Sequence, residues 1–118
     1  AKYTIDKSVL KEYIRETENI ITTNIGLIKE QKNLQGIAYS LILRLRGVYI
    51  LSSLLSKKIP YNKEFVSLLS NALANKTKIV LESYNCVKRN KSATNIPTSA
   101  DLESLLILLE DQIKKLKW

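Results

Sequence analysis

The sequence predicts an all-α fold, an up-and-down four-helix bundle with one additional short helix. Three observations lead there. Apolar residues recur at spacings of three and four through nearly the whole chain, the period that lines one face of a helix. No stretch shows the strict alternation of a half-buried strand. The segments between the periodic stretches are short and polar, which places successive helices side by side. A chain of 118 residues fits a single domain, residues 1–118, and can bury a core without staples.

The first helix starts at Asp6, whose carboxylate can take up free amide groups. Leu10, Ile14, Thr17, Ile21, Ile25 and Ile28 form its apolar stripe, with Lys11, Glu12, Arg15, Glu16 and Glu18 on the other face. Glycine costs a helix up to about 1 kcal/mol relative to Ala, so Gly26 is expected to mark a close helix approach or a kink. The second helix is the expected centre. Asn33 caps it, and Leu34, Ala38, Leu41, Leu45, Val48, Ser52 and Leu55 follow the four–three pattern. Ile37, Ile42, Leu43, Tyr49, Ile50 and Leu51 widen that face nearly all the way round, as in a helix surrounded by others. Lys57, Lys58 and Pro60 end it, the lysines complementing the negative end of the helix dipole.

Tyr61 and Asn62 open a short third helix, with Asn62 as cap and Phe65, Leu68, Leu69, Ala72 and Leu73 turned inward. A fourth begins near Lys76, presents Ile79, Val80, Tyr84 and Val87, and dissolves around Lys91. A polar connector over residues 92–97 leads to the last helix, capped by Thr98 or Ser99 with Asp101 in its first turn. Leu102, Leu105, Leu106, Leu109, Ile113 and Leu116 form its inner face, and Lys114, Lys115 and Lys117 its final turn.

Composition removes several function classes. There is no histidine, and Cys86 is the single cysteine. The common zinc sites and Ser-His or Cys-His nucleophiles therefore cannot form within one chain. No metal and no other cofactor is expected, and the adjacent Glu110 and Asp111 point to different parts of the helix surface. Cations beside Cys86 can lower a thiol pKa, but a half-buried structural thiol is the preferred reading. A lone cysteine makes no intrachain disulfide, and a reducing cytoplasm is the expected setting. The densest apolar run, residues 41–55, is interrupted by Arg44 and Arg46 and falls short of the roughly 18–20 residues of a membrane span. No signal peptide is expected at Ala1-Lys2-Tyr3, trimming remains open, and no membrane partner is expected.

The net charge of +8 is uneven: residues 37–97 hold ten basic and two acidic groups, while the flanking segments nearly balance. Such an excess attracts phosphate, an acidic protein or a membrane surface, or simply keeps a leucine-rich protein soluble. Arg44 and Arg46 lie within it. Two positions apart on a helix, they project about 200° apart, so at least one leaves the apolar helix along a groove. An arginine there needs a partner, since a lone buried charge is costly. The options are an ion pair with Glu64, Glu82 or Glu103, or contact with an anionic ligand. Gly47, beside Arg46, leaves room for a helix or ligand to approach, and close helix packing is expected. The segment 84–91 mixes Tyr84 with Lys88, Arg89 and Lys91. Basic and aromatic groups together can bind nucleic acid through phosphate contacts and stacking, although no helix-turn-helix or RNA-binding signature accompanies them.

Leu45-Arg46-Gly47, Leu54-Leu55, Tyr61 with Phe65 and Leu68-Leu69, Tyr84 with Lys88-Arg89, and Ile96-Pro97 leading to Asp101 stand in a telling order. Over roughly residues 37–110 this order resembles the helical domain that follows the catalytic domain in predicted archaeal nucleotidyltransferases. That domain is similar in kind to the four-helix substrate-binding subunits that pair with minimal nucleotidyltransferases. The resemblance implies the non-catalytic half of such a pair, in an archaeal cytoplasm. The sequence carries no Gly-Ser turn and no Asp-x-Asp metal pair, which the transferase chemistry needs. A related helical family of RNA-cleaving domains uses an Arg followed by a His, and without histidine that chemistry is not implied here.

The expectation is therefore a non-catalytic binding or interaction module. Its candidate contacts are Arg46, Tyr49, Tyr84, Lys88 and Arg89, with Arg44 as a further one. The candidate partners are a nucleotidyltransferase catalytic subunit and a nucleotide or nucleic acid. The alternatives are a small basic nucleic-acid-binding protein and a structural homo-oligomer joined through leftover apolar surface on the first or last helix.

Overall fold

A computed structural model describes residues 6–91 and 95–116. The expectations for residues 1–3, for 92–94 of the connector and for Lys117 lie outside them. Five α-helices account for most of the described chain: α1 (Lys7–Lys29), α2 (Leu34–Leu55), α3 (Asn62–Leu73), α4 (Thr77–Lys88) and α5 (Ser99–Leu116). A single 3₁₀ turn, Ala74–Lys76, joins α3 to α4. The fold is all-α, as the period predicts. Two helices are short rather than one, since α3 and α4 span 12 residues each.

Local chemistry sets the boundaries. The Asp6 carboxylate accepts the Ser8 amide at 2.9 Å and opens α1. Asn33 accepts from the Gly36 amide and opens α2. Thr98 and Asp101 form a reciprocal capping box at α5: the Thr98 amide donates to Asp101 at 2.9 Å and the Asp101 amide to the Thr98 hydroxyl at 3.2 Å. At α3 the expectation is corrected. Tyr61, not Asn62, holds the cap position, and no side chain bonds there. Asn62 is already helical because the Tyr61 carbonyl accepts the Phe65 amide, closing the first turn one residue earlier.

Packing is centred on α2. It lies against α4 and α5 along much of its length and also touches α1. α1 leans mainly on α5, and α3 lies against α5 and touches α4. The helices thus gather round α2 rather than forming an even ring of four. Asn24 shares a groove with Ile37, while Tyr13 lies over Gly47, so α1 runs antiparallel to α2. By length and composition α2 could cross a membrane; in this fold it is the core helix, and Leu41, Ile42, Leu45 and Val48 are fully buried.

The inner face of α5 is as expected, with Leu108 added. Three other faces shift. On α1, Asn24 is buried in place of Ile25, which is 37% exposed; a step of three after Ile21 keeps the stripe straight, and the Asn24 amide group donates to the Ile20 carbonyl at 2.8 Å. On α2, Leu43 and Leu55 are exposed and Ser53 is buried. On α3, Ala72 is exposed and Leu68 only half-buried. Gly26 marks no close approach, for a Cβ there would meet nothing within 4 Å.

Candidate functional site

α4 turns Thr77, Val80, Ser83 and Tyr84 into the core. Lys78, Asn85 and Arg89 remain exposed, at helical spacing, on another face. Tyr84 is buried, its ring stacked on Tyr39 of α2 with centroids 5.2 Å apart. The Lys88 ammonium lies 5.9 Å above the Tyr84 ring. Arg89 caps the C-terminal end of α4. With Lys78, Lys91 and the half-buried Cys86 it lines a groove of about 400 Å³, in which Glu82 is the only carboxylate.

The other candidates lie elsewhere. Tyr49 is buried, 8% exposed, with its ring tilted against Phe65. Its hydroxyl accepts the Tyr61 amide at 3.1 Å and donates to the Tyr61 carbonyl at 3.3 Å. Arg46 is half-buried on α2. Among the described residues it makes no ion pair, and nothing joins it to Lys88 or Arg89. The ion pair considered for the two arginines is thus not formed with Glu64, Glu82 or Glu103. Arg44 instead lays its guanidinium 4.6 Å over the Tyr13 ring. The reason is burial: both arginines are half-exposed, so water meets part of their charge and no buried carboxylate is required. Of the five candidates, the structure brings together Tyr84 and Lys88, leaves Arg89 in the neighbouring groove, and puts Tyr49 and Arg46 outside it.

A second groove, of about 380 Å³, was missed from sequence. It runs where the C-terminal halves of α2 and α5 meet α3, and Ser53, Ser56, Lys58, Glu64, Gln112 and Lys115 are among its walls. Ser53 is 6% exposed, and its carbonyl accepts the Lys58 amide at 2.8 Å. The available signal was Ser52, Ser53 and Ser56 clustered at the end of an otherwise apolar helix.

Asp6 at the α1 cap and Glu12 with Arg15 within α1 have shifted ionisation. The Ser8 backbone and hydroxyl hold the Asp6 carboxyl below its ordinary 3.8. Arg15 lowers Glu12 through a side-chain hydrogen bond and is itself raised by it. Among the described residues no group of three or more Cys, Asp or Glu side chains could hold a metal ion. Compared with known proteins, the chain matches no family, no curated protein and no solved structure.

Proposed function

We propose that the chain is a non-catalytic helical binding module that takes an anionic partner on the outer face of α4. The observation that carries this reading is a set of uncommitted cations. Lys78, Arg89 and Lys91 line one groove, and among the described residues no ion pair engages them or Lys88. Three cations face one carboxylate, Glu82, in this groove, so an anionic group arriving among them relieves the remaining repulsion and is held by it. A nucleotidyltransferase catalytic subunit is the partner that the family resemblance supplies. A nucleic acid would find the cations but few rings to stack on, since Tyr49 and Tyr84 are buried and Tyr39 is half-buried beneath its neighbours.

Charge reversal tests the reading. Labelled polyglutamate and labelled single-stranded RNA are titrated by fluorescence anisotropy against Arg89→Glu/Lys91→Glu and, as control, Lys11→Glu/Lys29→Glu on α1. A loss confined to the α4 pair, and deepened by salt, supports the site. Equal loss from both pairs means bulk charge and sinks it. A nucleotidyltransferase chain encoded beside this one, bearing a Gly-Ser turn and an Asp-x-Asp pair, is expected to co-purify with it. Purified alone, the chain is expected to transfer no nucleotide and cleave no RNA; magnesium-dependent turnover that survives stringent purification removes the non-catalytic assignment.

A further inference from the structure

α2 ends at Leu55, and the chain reaches α3 through a turn at Ser56 and Lys57 and a short irregular segment. Ile59 in this segment is 72% exposed, more than any other large apolar side chain among the described residues. Tyr61 is 58% exposed and Leu55 45%, while Pro60 between the first two is half-buried. Looseness does not explain the exposure, because the segment is tied to α2 at both ends. The Lys57 amide donates to the Leu54 carbonyl and the Lys58 amide to Ser53, at 3.0 and 2.8 Å. At the other end the buried Tyr49 hydroxyl engages both backbone groups of Tyr61. Tyr49 therefore holds the backbone in place and leaves the Tyr61 ring outside.

Cations neighbour these apolar residues along the chain. Lys57, Lys58 and Lys63 are exposed on the same segment or the first turn of α3. Lys115, from the end of α5, lines a groove with Lys58, and Glu64 is the carboxylate in it. None of these lysines forms an ion pair among the described residues.

We propose that this end of the molecule docks peripherally on an anionic lipid surface, with Ile59 and Tyr61 as its apolar anchors and Lys57, Lys58 and Lys63 as its charge contacts. The area involved favours lipid over a protein partner. Three side-chain tips offer far less than the roughly 800 Å² per partner of a stable protein pair. Reversible membrane attachment needs two weak signals together, an inserted apolar group and a basic patch, and both stand here on the hydrogen-bonded connector and the first turn of α3. Tyrosine suits the headgroup level, with an apolar ring and a polar tip, and lysine stems lie along the boundary with the ammonium in water. No membrane-spanning helix is required, so α2 keeps its place in the core. The proposal is independent of the α4 face.

Co-sedimentation of the whole chain with vesicles tests it. Binding is expected on phosphatidylcholine mixed with phosphatidylserine and not on phosphatidylcholine alone, and it should weaken with salt. Ile59→Ser/Tyr61→Ser is expected to lower partitioning at least about tenfold, the scale of withdrawing two apolar side chains from a nonpolar phase. Both side chains are exposed and the clamp uses only the Tyr61 backbone, so the melting curve should stay near wild type. Arg89→Glu/Lys91→Glu is expected to bind vesicles at no less than half the wild-type level. As a second readout, a polarity-sensitive dye on Ile59→Cys, in a Cys86→Ser background, should shift to the blue on the mixed vesicles, while the same dye on Ile107→Cys should not. The proposal is overturned by absence of binding to the mixed vesicles, by binding indifferent to Ile59 and Tyr61, by equal blue shifts at both dye positions, or by polyglutamate binding that depends on Ile59 and Tyr61.

Discussion

The Tyr13 hydroxyl occupies the space that a Cβ on Gly47 would fill. The same hydroxyl donates a long, 3.5 Å, bond to the Arg44 carbonyl, and the Arg44 guanidinium covers the Tyr13 ring. Gly47 thus serves a close approach of α1 to α2, and Tyr13 closes over it. Gly47→Ala gains helix propensity but displaces Tyr13. The substitution should be less favourable in the wild type than in Tyr13→Phe by about 1 kcal/mol or more, within the usual range for contacting pairs. Urea denaturation of the four proteins of this cycle measures the coupling; additivity within error would refute the contact.

Gly26 and Ala74 should each gain from exchange, for opposite reasons. Gly26 is exposed inside α1, and an added Cβ meets open space, so Gly26→Ala should stabilise by about 0.4–1 kcal/mol. Ala74 has φ 51 and ψ −122, a conformation that suits glycine, and Ala74→Gly should relieve part of a strain of about 1–3 kcal/mol. Denaturation midpoints that fall in either variant would contradict the assigned local geometry.

Leu45 and Ser83 are both fully buried, yet truncation should affect them differently. Leu45→Ala removes apolar volume from the centre of α2 and should cost about 2–5 kcal/mol. Among the described residues the Ser83 hydroxyl has no hydrogen-bond partner. Ser83→Ala should therefore be neutral or stabilising, since an unmet buried hydroxyl costs about 1–3 kcal/mol. Thermal melts of the two variants should separate in opposite directions or nearly so.

Arg46→Leu should leave stability within about 1 kcal/mol of wild type, because the arginine is only partly buried. A loss of about 3–5 kcal/mol, typical of breaking a buried ion pair, would mean that a carboxylate partner is present after all. Chemical denaturation at neutral pH distinguishes the two.

Asp6 sets a direction for acid. Its folded carboxyl titrates below 3.8 because the Ser8 backbone favours the charged form. The cap therefore contributes fully above the unfolded value, and its contribution is lost as pH falls through the folded one. Amide exchange in the first turn of α1 should rise across that acid range. In Asp6→Asn, whose side chain caps without ionising, this rise should be absent.

Local chemistry explains why so much of the fold was legible. The Asp6 cap, the Asn33 cap, the cap of α5 at Thr98 with Asp101, and the inner face of α5 apart from Leu108 depend on residues within a few positions of one another, so spacing locates them. The candidate site was much less legible. Tyr49 and Tyr84 read as available aromatic groups, but whether a ring faces water or a neighbour is decided by another helix: Tyr39 covers Tyr84, and Tyr61 turns its backbone to Tyr49. Arg44 and Arg46 read as needing a carboxylate or an anionic ligand because a periodic pattern does not report how far a helix is enclosed.

The sequence by itself determined that this is a helical protein, where most helices begin and end, and that the positive charge lies in the middle of the chain. Those properties follow from period, capping and composition, which act over one or two turns. Only the tertiary structure decided that Tyr13 closes over Gly47, that Ser53 ends in a groove between three helices, and that a buried hydroxyl engages the Tyr61 backbone while the Tyr61 ring stays outside. Each depends on residues distant in sequence meeting in space, and a period of 3.6 says which face is apolar without saying which helix covers it.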